Sequence, residues 1–406
     1  MPDIAVFASR LRIEKARCYE GEYTAGAGLD SPRFTSLKIG TRSRPKSRPA
    51  ERRDNKRVKT LRLVVDPAHL DTADAREKLE RGAKILRDGG LVALPTETVY
   101  GLGANALDAA AVARIFEAKQ RPAWDPVIVH VSDLTMLDRL VGEIPGRARR
   151  LMAAFWPGPL TLLLPRTSAV PDVVTAGRAL VGVRMPAHPV ALELIRRAGV
   201  PVAAPSANLF GRISPTTAEH VLADLDGRID AVLDAGATMR GVESTVLDAS
   251  QTPMVIYRPG AATAEEIAAI GGAVEIFRRD GALEETPPES MPSPGVGLRH
   301  YAPRARLVLV DGTPAELGTR LSAAVRSQPD QRVGLMLPAE IDAATEGAVV
   351  IRWGRWSDPD ELARELYAGL RALDAEGCAV IVCPMPPADG IGAAIRDRLK
   401  KAGARD

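Results

Sequence analysis

Short apolar runs alternate along the chain with longer segments in which apolar residues recur every three or four positions, the mark of strands and helices in turn. Leu61–Val65 reads as a short strand, and Asp71 or Thr72 is placed to cap a helix from about Ala73 to Arg87, which Gly89 and Gly90 end. The run Leu91–Leu94 stops at Pro95. Pro95–Gly103 then supplies hydroxyls, one carboxylate and two glycines, as when a buried strand enters a working loop. Helix Ala109–Ala118 carries Val112, Ile115 and Phe116 on one face, Lys119 and Arg121 follow, and strand Val127–His130 ends on a histidine. Leu134–Leu140 and Pro145–Ala154 read as helices, Phe155–Leu164 as a turn entering a strand, and Leu180–Pro186 as a strand ending in Arg184 and a proline.

The same alternation continues with helix Val190–Ala198, strand Val202–Pro205, the polar turn Ser206-Ala-Asn208, helix Thr217–Leu222 and strand Ala231–Leu233. The loop Gly241–Thr245 leads into strand Val246–Asp248, and strand Met254–Arg258 ends on a cation. Strands that follow one another directly predict a mixed sheet in an α/β body. Residues 282–304 break the pattern with Pro287, Pro288, Pro292, Pro294, Gly295 and Gly297, an extended linker. A second α/β unit then begins: strand Leu307–Val310, helix Pro314–Arg326, strands Val333–Leu337 and Val349–Arg352, helix Pro359–Ala372, strand Val380–Cys383 and a closing helix Ile391–Lys401. The expected organisation is a leader (1–60), a catalytic domain (61–281), the linker (282–304) and a smaller domain (305–406).

At 406 residues two domains are the natural expectation, and no apolar run approaches the length that spans a bilayer. Three cysteines, Cys18, Cys378 and Cys383, make neither a disulfide framework nor a zinc ligand set, so a cytoplasmic protein is expected. The net charge of +3 hides an asymmetry: residues 1–60 hold 15 Lys and Arg against 7 Asp and Glu, leaving 39 against 44 in the rest. The basicity thus belongs to a Ser/Arg/Pro-rich leader that cannot bury enough apolar surface to fold. A disordered extension, from an over-called start codon or not, is expected; an RNA-binding arm or a transit peptide are the functional alternatives.

Thr96, Thr98, Lys119, Arg121, His130, Arg184, Ser206, Asn208, Ser244 and Arg258 all fall at ends of predicted elements, where α/β sheets bind ligands. Four cations beside hydroxyl and amide donors suit a multiply anionic ligand, such as a nucleotide phosphate chain plus a small carboxylate. Each position has a plainer reading. Lys119 and Arg121 alone could be solvated, His130 structural, and Ser206-Ala-Asn208 simple turn chemistry. Glu97 could be a general base, a helix cap or a loop-positioning group. Gly101-Leu-Gly103 lacks the third glycine of a dinucleotide fingerprint and the Gly-Lys of a P-loop. No Ser-His-Asp order, nucleophilic cysteine or metal cluster stands out.

Ten ordered motifs together resemble a known family. PTETVYGLG (95–103), KxRP (119–122), PxIVHV (126–131), PGPLT (157–161), VRMP (183–186), APSAN (204–208) and the Glu-Ser-Thr loop (243–245) resemble the YrdC domain. RPG (258–260), SPGxxxxHYAP (293–303) and GIGAAIRDRLKKA (390–402) are similar to the long two-domain form, the threonylcarbamoyl-AMP synthases. The resemblance implies a YrdC-like mixed twisted sheet with a concave basic pocket and a smaller Rossmann-like C-terminal domain. It implies a nucleotidyltransferase making threonylcarbamoyl-AMP and pyrophosphate from L-threonine, bicarbonate or CO2, and ATP, with Mg2+ arriving on the nucleotide. The product would pass to a downstream transferase complex that modifies tRNA, with tRNA contact an open expectation.

By resemblance Thr98, His130, Arg184, the Ala204 backbone and Ser244 hold threonine. Arg121, Asp125, Ser206, Ser214, Arg258 and the backbone near Leu180 hold ATP, Lys119 and Asn208 complete the basic rim, and Lys119 and Arg121 are the candidate catalytic groups. The linker around His300 and Tyr301 would close over the nucleotide as a lid. Two residues depart from the family pattern: Asp125 stands where Asn is usual, and Trp124 beside it is bulky. Competing readings are a non-catalytic module binding double-stranded RNA or tRNA, and a carbamoyl-transfer module of the hydrogenase-maturation kind, whose zinc-finger cysteines are missing here.

Overall fold

The computed structural model describes residues 59–277, 291, 293 and 300–404. The expected leader lies outside these residues except for Lys59 and Thr60, as does most of the expected linker. In chain order the elements are β1 (Leu61–Val64), α1 (Ala73–Arg87), β2 (Val92–Leu94), β3 (Gly101–Asn105), α2 (Ala109–Lys119), β4 (Val129–His130), α3 (Leu134–Leu137) and α4 (Gly146–Phe155). Next come β5 (Leu160–Pro165), α5 (Asp172–Thr175), β6 (Leu180–Arg184), α6 (Pro189–Ala198), β7 (Val202–Ala203), α7 (Ala218–Leu225), β8 (Ala231–Asp234), β9 (Thr245–Asp248), β10 (Met254–Arg258), α8 (Ala264–Gly271) and β11 (Val274–Ile276). The C-terminal domain adds β12 (Arg306–Val310), α9 (Pro314–Arg326), β13 (Val333–Leu337), β14 (Ala348–Arg352), α10 (Pro359–Ala375), β15 (Val380–Pro384) and α11 (Gly392–Gly403).

Eleven strands form one sheet in the order β1-β8-β2-β3-β7-β4-β6-β5-β9-β10-β11. Parallel pairs (β4 with β6, β5 with β9) and antiparallel pairs (β2 with β3, β5 with β6) both occur in it, so the sheet is mixed as expected. Local chemistry starts the helices that cover it. Thr72 Oγ1 accepts from the Ala75 N–H, and α1 then buries Ala75, Leu79, Ala83 and Leu86 along one stripe. Asp108 caps α2, which ends in a left-handed Gln120 (φ +54°) whose turn returns the Arg121 N–H to the Phe116 carbonyl at 2.9 Å. That turn separates Lys119 from Arg121.

The Pro95–Gly103 stretch is not wholly a loop, because Gly101–Asn105 is strand β3, paired to β2 and β7. Its glycines hide it. A Cβ at Gly103 would meet Val202 Cγ1 at 2.8 Å and Leu94 Cδ2 at 2.9 Å, so only glycine fits between these neighbours. Strand β4 and helix α3 are shorter than predicted, and α5, α8 and β11 were not predicted. Among the described residues no helix is long and apolar enough to cross a membrane.

The C-terminal domain is a four-stranded parallel sheet, β12-β15-β13-β14, with β13 and β15 buried on both faces. Its last strand lies between its first and second. The two domains share apolar packing: Val99, Ile213, Val242, Ala261 and Tyr301 join the cluster of Leu366, Tyr367 and Ile395. Arg371 on α10 donates to Ile213 O and pairs with Asp224 at 2.8 Å. Gly241 (φ +71°) lies against α10 so closely that a Cβ would fall 2.3 Å from Ala363 O.

Gly241→Ala should therefore destabilise the protein by about 3 kcal/mol or more, combining left-handed strain with an interdomain clash. Gly236→Ala, at φ +82° but facing open space, should cost about 1 kcal/mol from strain alone. Urea denaturation of both variants measures the difference, and equal losses would refute the clash.

Candidate active site

The pocket lies over one face of the large sheet. His130 pairs with Arg184 of β6 and with Val202 of β7, and Ile128 lies beside Ala204, so Ile128, His130, Arg184 and Ala204 point the same way by the period-two rule. All four line the pocket, together with Thr96, Thr98, Arg121, Ser206, Glu243, Ser244, Arg258, His300 and Tyr301. In the sequence these groups fall at the ends of elements; several do sit there, but Ile128, His130, Arg184 and Ala204 are gathered by the shared sheet face.

On one side Arg184 is held in three directions. Its Nε donates to Gly158 O at 3.0 Å, its Nη1 to Thr98 Oγ1 at 3.0 Å, and its Nη2 meets Glu97 Oε1 at 2.6 Å. Glu97 is therefore the buried counter-charge of Arg184, the loop-positioning reading among the three left open. Thr98 Oγ1 also lies 2.8 Å from Thr96 Oγ1, whose hydroxyl bonds the Val99 carbonyl and closes the turn. Burial, and then the Arg184 charge, lower the His130 pKa to about 3, so the imidazole is neutral at physiological pH, with Nδ1 unpaired.

On the other side Arg258 donates from Nε and Nη2 to Ser244 O, and from Nη2 to Ser244 Oγ at 3.1 Å; that hydroxyl also meets Thr161 Oγ1. Arg121 pairs with Asp125 (2.9 Å), donates to the Pro126 carbonyl and lies over the Phe210 ring at 5.7 Å. Asp125 thus neutralises a buried guanidinium beside it. Trp124 packs edge-on against Phe210, which in turn meets the His300 ring, and His300 lies tilted against Tyr301 at 4.2 Å. The two departures from the family pattern therefore brace Arg121 and His300.

Five expected residues lie off the pocket wall. Lys119 is 1% exposed, and its Nζ donates to the Ser206 (2.6 Å) and Asn208 carbonyls, tying that turn to the end of α2. Burial, and then the Arg121 charge, push its pKa well below the ordinary value. The Asn208 amide donates to Leu209 O and Arg212 O, Asp125 faces Arg121, and Leu180 packs beside Ile128 and Leu163. Ser214 Oγ donates to Glu243 Oε1 at 2.6 Å.

Glu243 is the residue that sequence reasoning passed over, although its neighbour Ser244 was singled out. Burial pushes its pKa up, but the Arg398 and Arg258 charges and the hydrogen bonds from Ser214 and Arg398 outweigh that and leave it at about 2. Among the described residues no group of three metal-ligating side chains occurs. Glu243 in the pocket wall and Glu97 and Asp125 behind it are each committed to a guanidinium.

Residues 84–260 match a family model described as "Telomere recombination", and residues 262–404 match one described as "Threonylcarbamoyl-AMP synthase, C-terminal domain". The threonylcarbamoyl-AMP synthase of Bacillus subtilis is 43% identical over 347 residues, spanning 85% of this chain and 98% of that protein. That of Pyrococcus abyssi is 42% identical, spanning 81% and 96%. The crystal structure of P. abyssi Sua5 complexed with L-threonine superposes with a TM-score of 0.76 at 40% identity, covering 85% of this chain and 98% of that one.

Removing one partner of a buried ion pair leaves a charge uncompensated, so Glu97→Gln should cost about 3 kcal/mol. The double variant Glu97→Gln/Arg184→Met should recover part of that loss, and urea titration of both reads it. Glu243 has a folded-state pKa depressed below its ordinary 4.5. Its stabilising contribution is thus full above about pH 4.5 and is lost as pH falls toward 2. Acid titration followed by tryptophan fluorescence should show a shallower acid limb for Glu243→Gln than for the wild type.

Proposed function

This chain belongs to the threonylcarbamoyl-AMP synthase family, and from that premise we propose that it is an ATP-dependent nucleotidyltransferase condensing L-threonine, bicarbonate or CO2, and ATP. The products would be threonylcarbamoyl-AMP and pyrophosphate, the adenylate serving a downstream transferase that makes N6-threonylcarbamoyladenosine in tRNA. The observation that carries the reading is the convergence of three buried guanidinium groups, Arg121, Arg184 and Arg258, on a pocket whose other polar lining includes hydroxyls, the neutral His130 imidazole and the ion-paired Glu243 carboxylate. Such a site binds two anionic reactants at once and offers no nucleophile of its own.

Arg184, braced by Glu97, takes the threonine carboxylate, with Thr98 and Ser244 for the polar groups around it. His130 can accept a hydrogen bond beside the amine without repelling it. Arg121 and Arg258 face the phosphates, so the charge developing as pyrophosphate leaves meets donors already fixed in place. Lys119 contributes from behind the wall by holding the Ser206–Asn208 turn. His300 and Tyr301 cover the nucleotide side and keep water from the labile carbamate. Among the described residues these paired carboxylates leave no site that fits Mg2+, which would travel with ATP and offset charge on its phosphates. An RNA-binding module without catalysis is less well supported, because both domains align with synthases.

Purified protein given ATP, bicarbonate and Mg2+ should release pyrophosphate only when threonine is added. Arg121→Ala should lower that turnover by roughly a hundredfold or more. Lys119→Ala should also lower it, through the displaced turn. Threonine-independent release, or none from folded wild type, would count against the reading.

A further inference from the structure

The pocket wall is held partly from outside the domain that forms it. Glu243 lines the pocket, yet its carboxylate is shared between domains: Oε1 accepts from Ser214 Oγ at 2.6 Å, and Oε2 from Tyr367 OH of α10 at 2.9 Å and Arg398 Nε of α11 at 2.7 Å. Arg398 is 1% exposed, and its guanidinium also lies 5.0 Å over the ring of Tyr301, another pocket-lining residue. Tyr301 stacks on Tyr367 at 5.9 Å and holds a left-handed backbone, φ +64°, that a tyrosine keeps only when its surroundings impose it. One guanidinium of the C-terminal domain therefore touches both the carboxylate that fixes Ser214 and the ring that closes the pocket.

A plain interdomain tie is the obvious alternative. Buried ion pairs are a poor source of stability compared with apolar packing, and here the domains already share an apolar cluster. The charged groups facing Glu243 are also unevenly placed. Arg258 approaches from β10 within the catalytic domain, while Arg398 and Tyr367 approach from α11 and α10. The loop Glu243–Thr245 is pinned between them, with Gly260 so close that a Cβ there would fall 2.4 Å from Glu243 O. A fixed loop flanked by pocket groups is what site positioning requires.

We propose that Arg398, assisted by Tyr367, is a positioning residue for the nucleotide end of the pocket. It sets Glu243 and Tyr301, and through Glu243 it sets Ser214, so the ATP side is complete only with the C-terminal domain docked. The proposal rests on the synthase reading above.

Full-length Arg398→Lys, Arg398→Met and Tyr367→Phe test it, with pyrophosphate release measured at varied ATP and varied threonine, ATP binding by calorimetry, and thermal unfolding. Arg398→Lys and Tyr367→Phe keep most of the packing and should fold. Each should raise the ATP KM and the ATP Kd about tenfold, the effect of one misaligned hydrogen bond to a charged group. The threonine KM should stay within about twofold of wild type, and Arg398→Met, if folded, should exceed the lysine variant in ATP KM. A lower melting temperature with ATP constants unchanged makes the pair purely structural and overturns the proposal. Equal rises in both KM values mean general loosening and overturn it too. A folded wild type without threonine-dependent turnover would sink the synthase reading instead, and ATP binding by the same variants would still decide whether Arg398 sets the nucleotide side.

Discussion

Buried cations govern this structure. Lys119, Arg121, Arg184, Arg258 and Arg398 are all less than a tenth exposed, and an isolated charge so placed would be prohibitively unfavourable. Each is answered: Arg121 by Asp125, Arg184 by Glu97, Arg398 by Glu243, and Lys119 and Arg258 by backbone carbonyls. Those answers dictate where loops go. The Ser206–Asn208 turn lies where Lys119 can reach two of its carbonyls, and the Glu243–Thr245 loop lies where Arg258 and Arg398 grip it from opposite sides. The loops carrying the candidate binding groups are shaped by charge satisfaction as much as by packing.

The same constraint explains what could be read in the sequence. Elements with strong local signals were legible: α1 with its Thr72 cap, the one-sided face of α2, and the apolar inner strands β13 and β15. The candidate cations Arg121, Arg184 and Arg258 stood out because each follows or ends an element. Their partners did not. Glu97 sits among threonines with several equally good local readings, and Arg398, although it falls on the apolar stripe of Ile391, Ile395 and Ala402, sits in a run with Arg396, Asp397 and Lys400 that masks it. Pairing across 155 positions, as between Glu243 and Arg398, leaves no local trace. Strand β3 was missed for the opposite reason: Gly101 and Gly103 mimic a loop while answering to crowding from Val202, Leu94 and Ala204. Helix α8 carries a local signal in the Thr263–Glu266 capping box, but at eight residues, just after a Pro-Gly turn, it shows too little periodicity to stand out.

Trp124 and Asp125 show how two departures from a pattern can compensate one another. An aspartate near a phosphate site is unfavourable by itself, yet here its charge is spent on Arg121, and the same guanidinium lies over Phe210. Trp124 packs the far edge of Phe210, and Phe210 supports His300. The row continues through Tyr301 to Tyr367 in the C-terminal domain. Aromatic edges and faces thus run from the cation that would meet phosphate to the helix that carries the second domain, with no flexible side chain between.

These pairings also decide how much charge the pocket has left to offer. Two of its three guanidinium groups, Arg121 and Arg184, are each matched by a carboxylate, so they present directed N–H donors more than net positive charge. Arg258 is held by the Ser244 carbonyl and hydroxyl, with no carboxylate ion pair of its own among the described residues. A pocket built this way attracts anions without holding a large uncompensated charge when empty, which keeps the unliganded fold from opposing itself. It also discriminates by geometry, because neutralised guanidinium groups reward a planar carboxylate or a phosphate only where their free N–H groups point. The cations were the visible part of the site, and the carboxylates behind them make it selective.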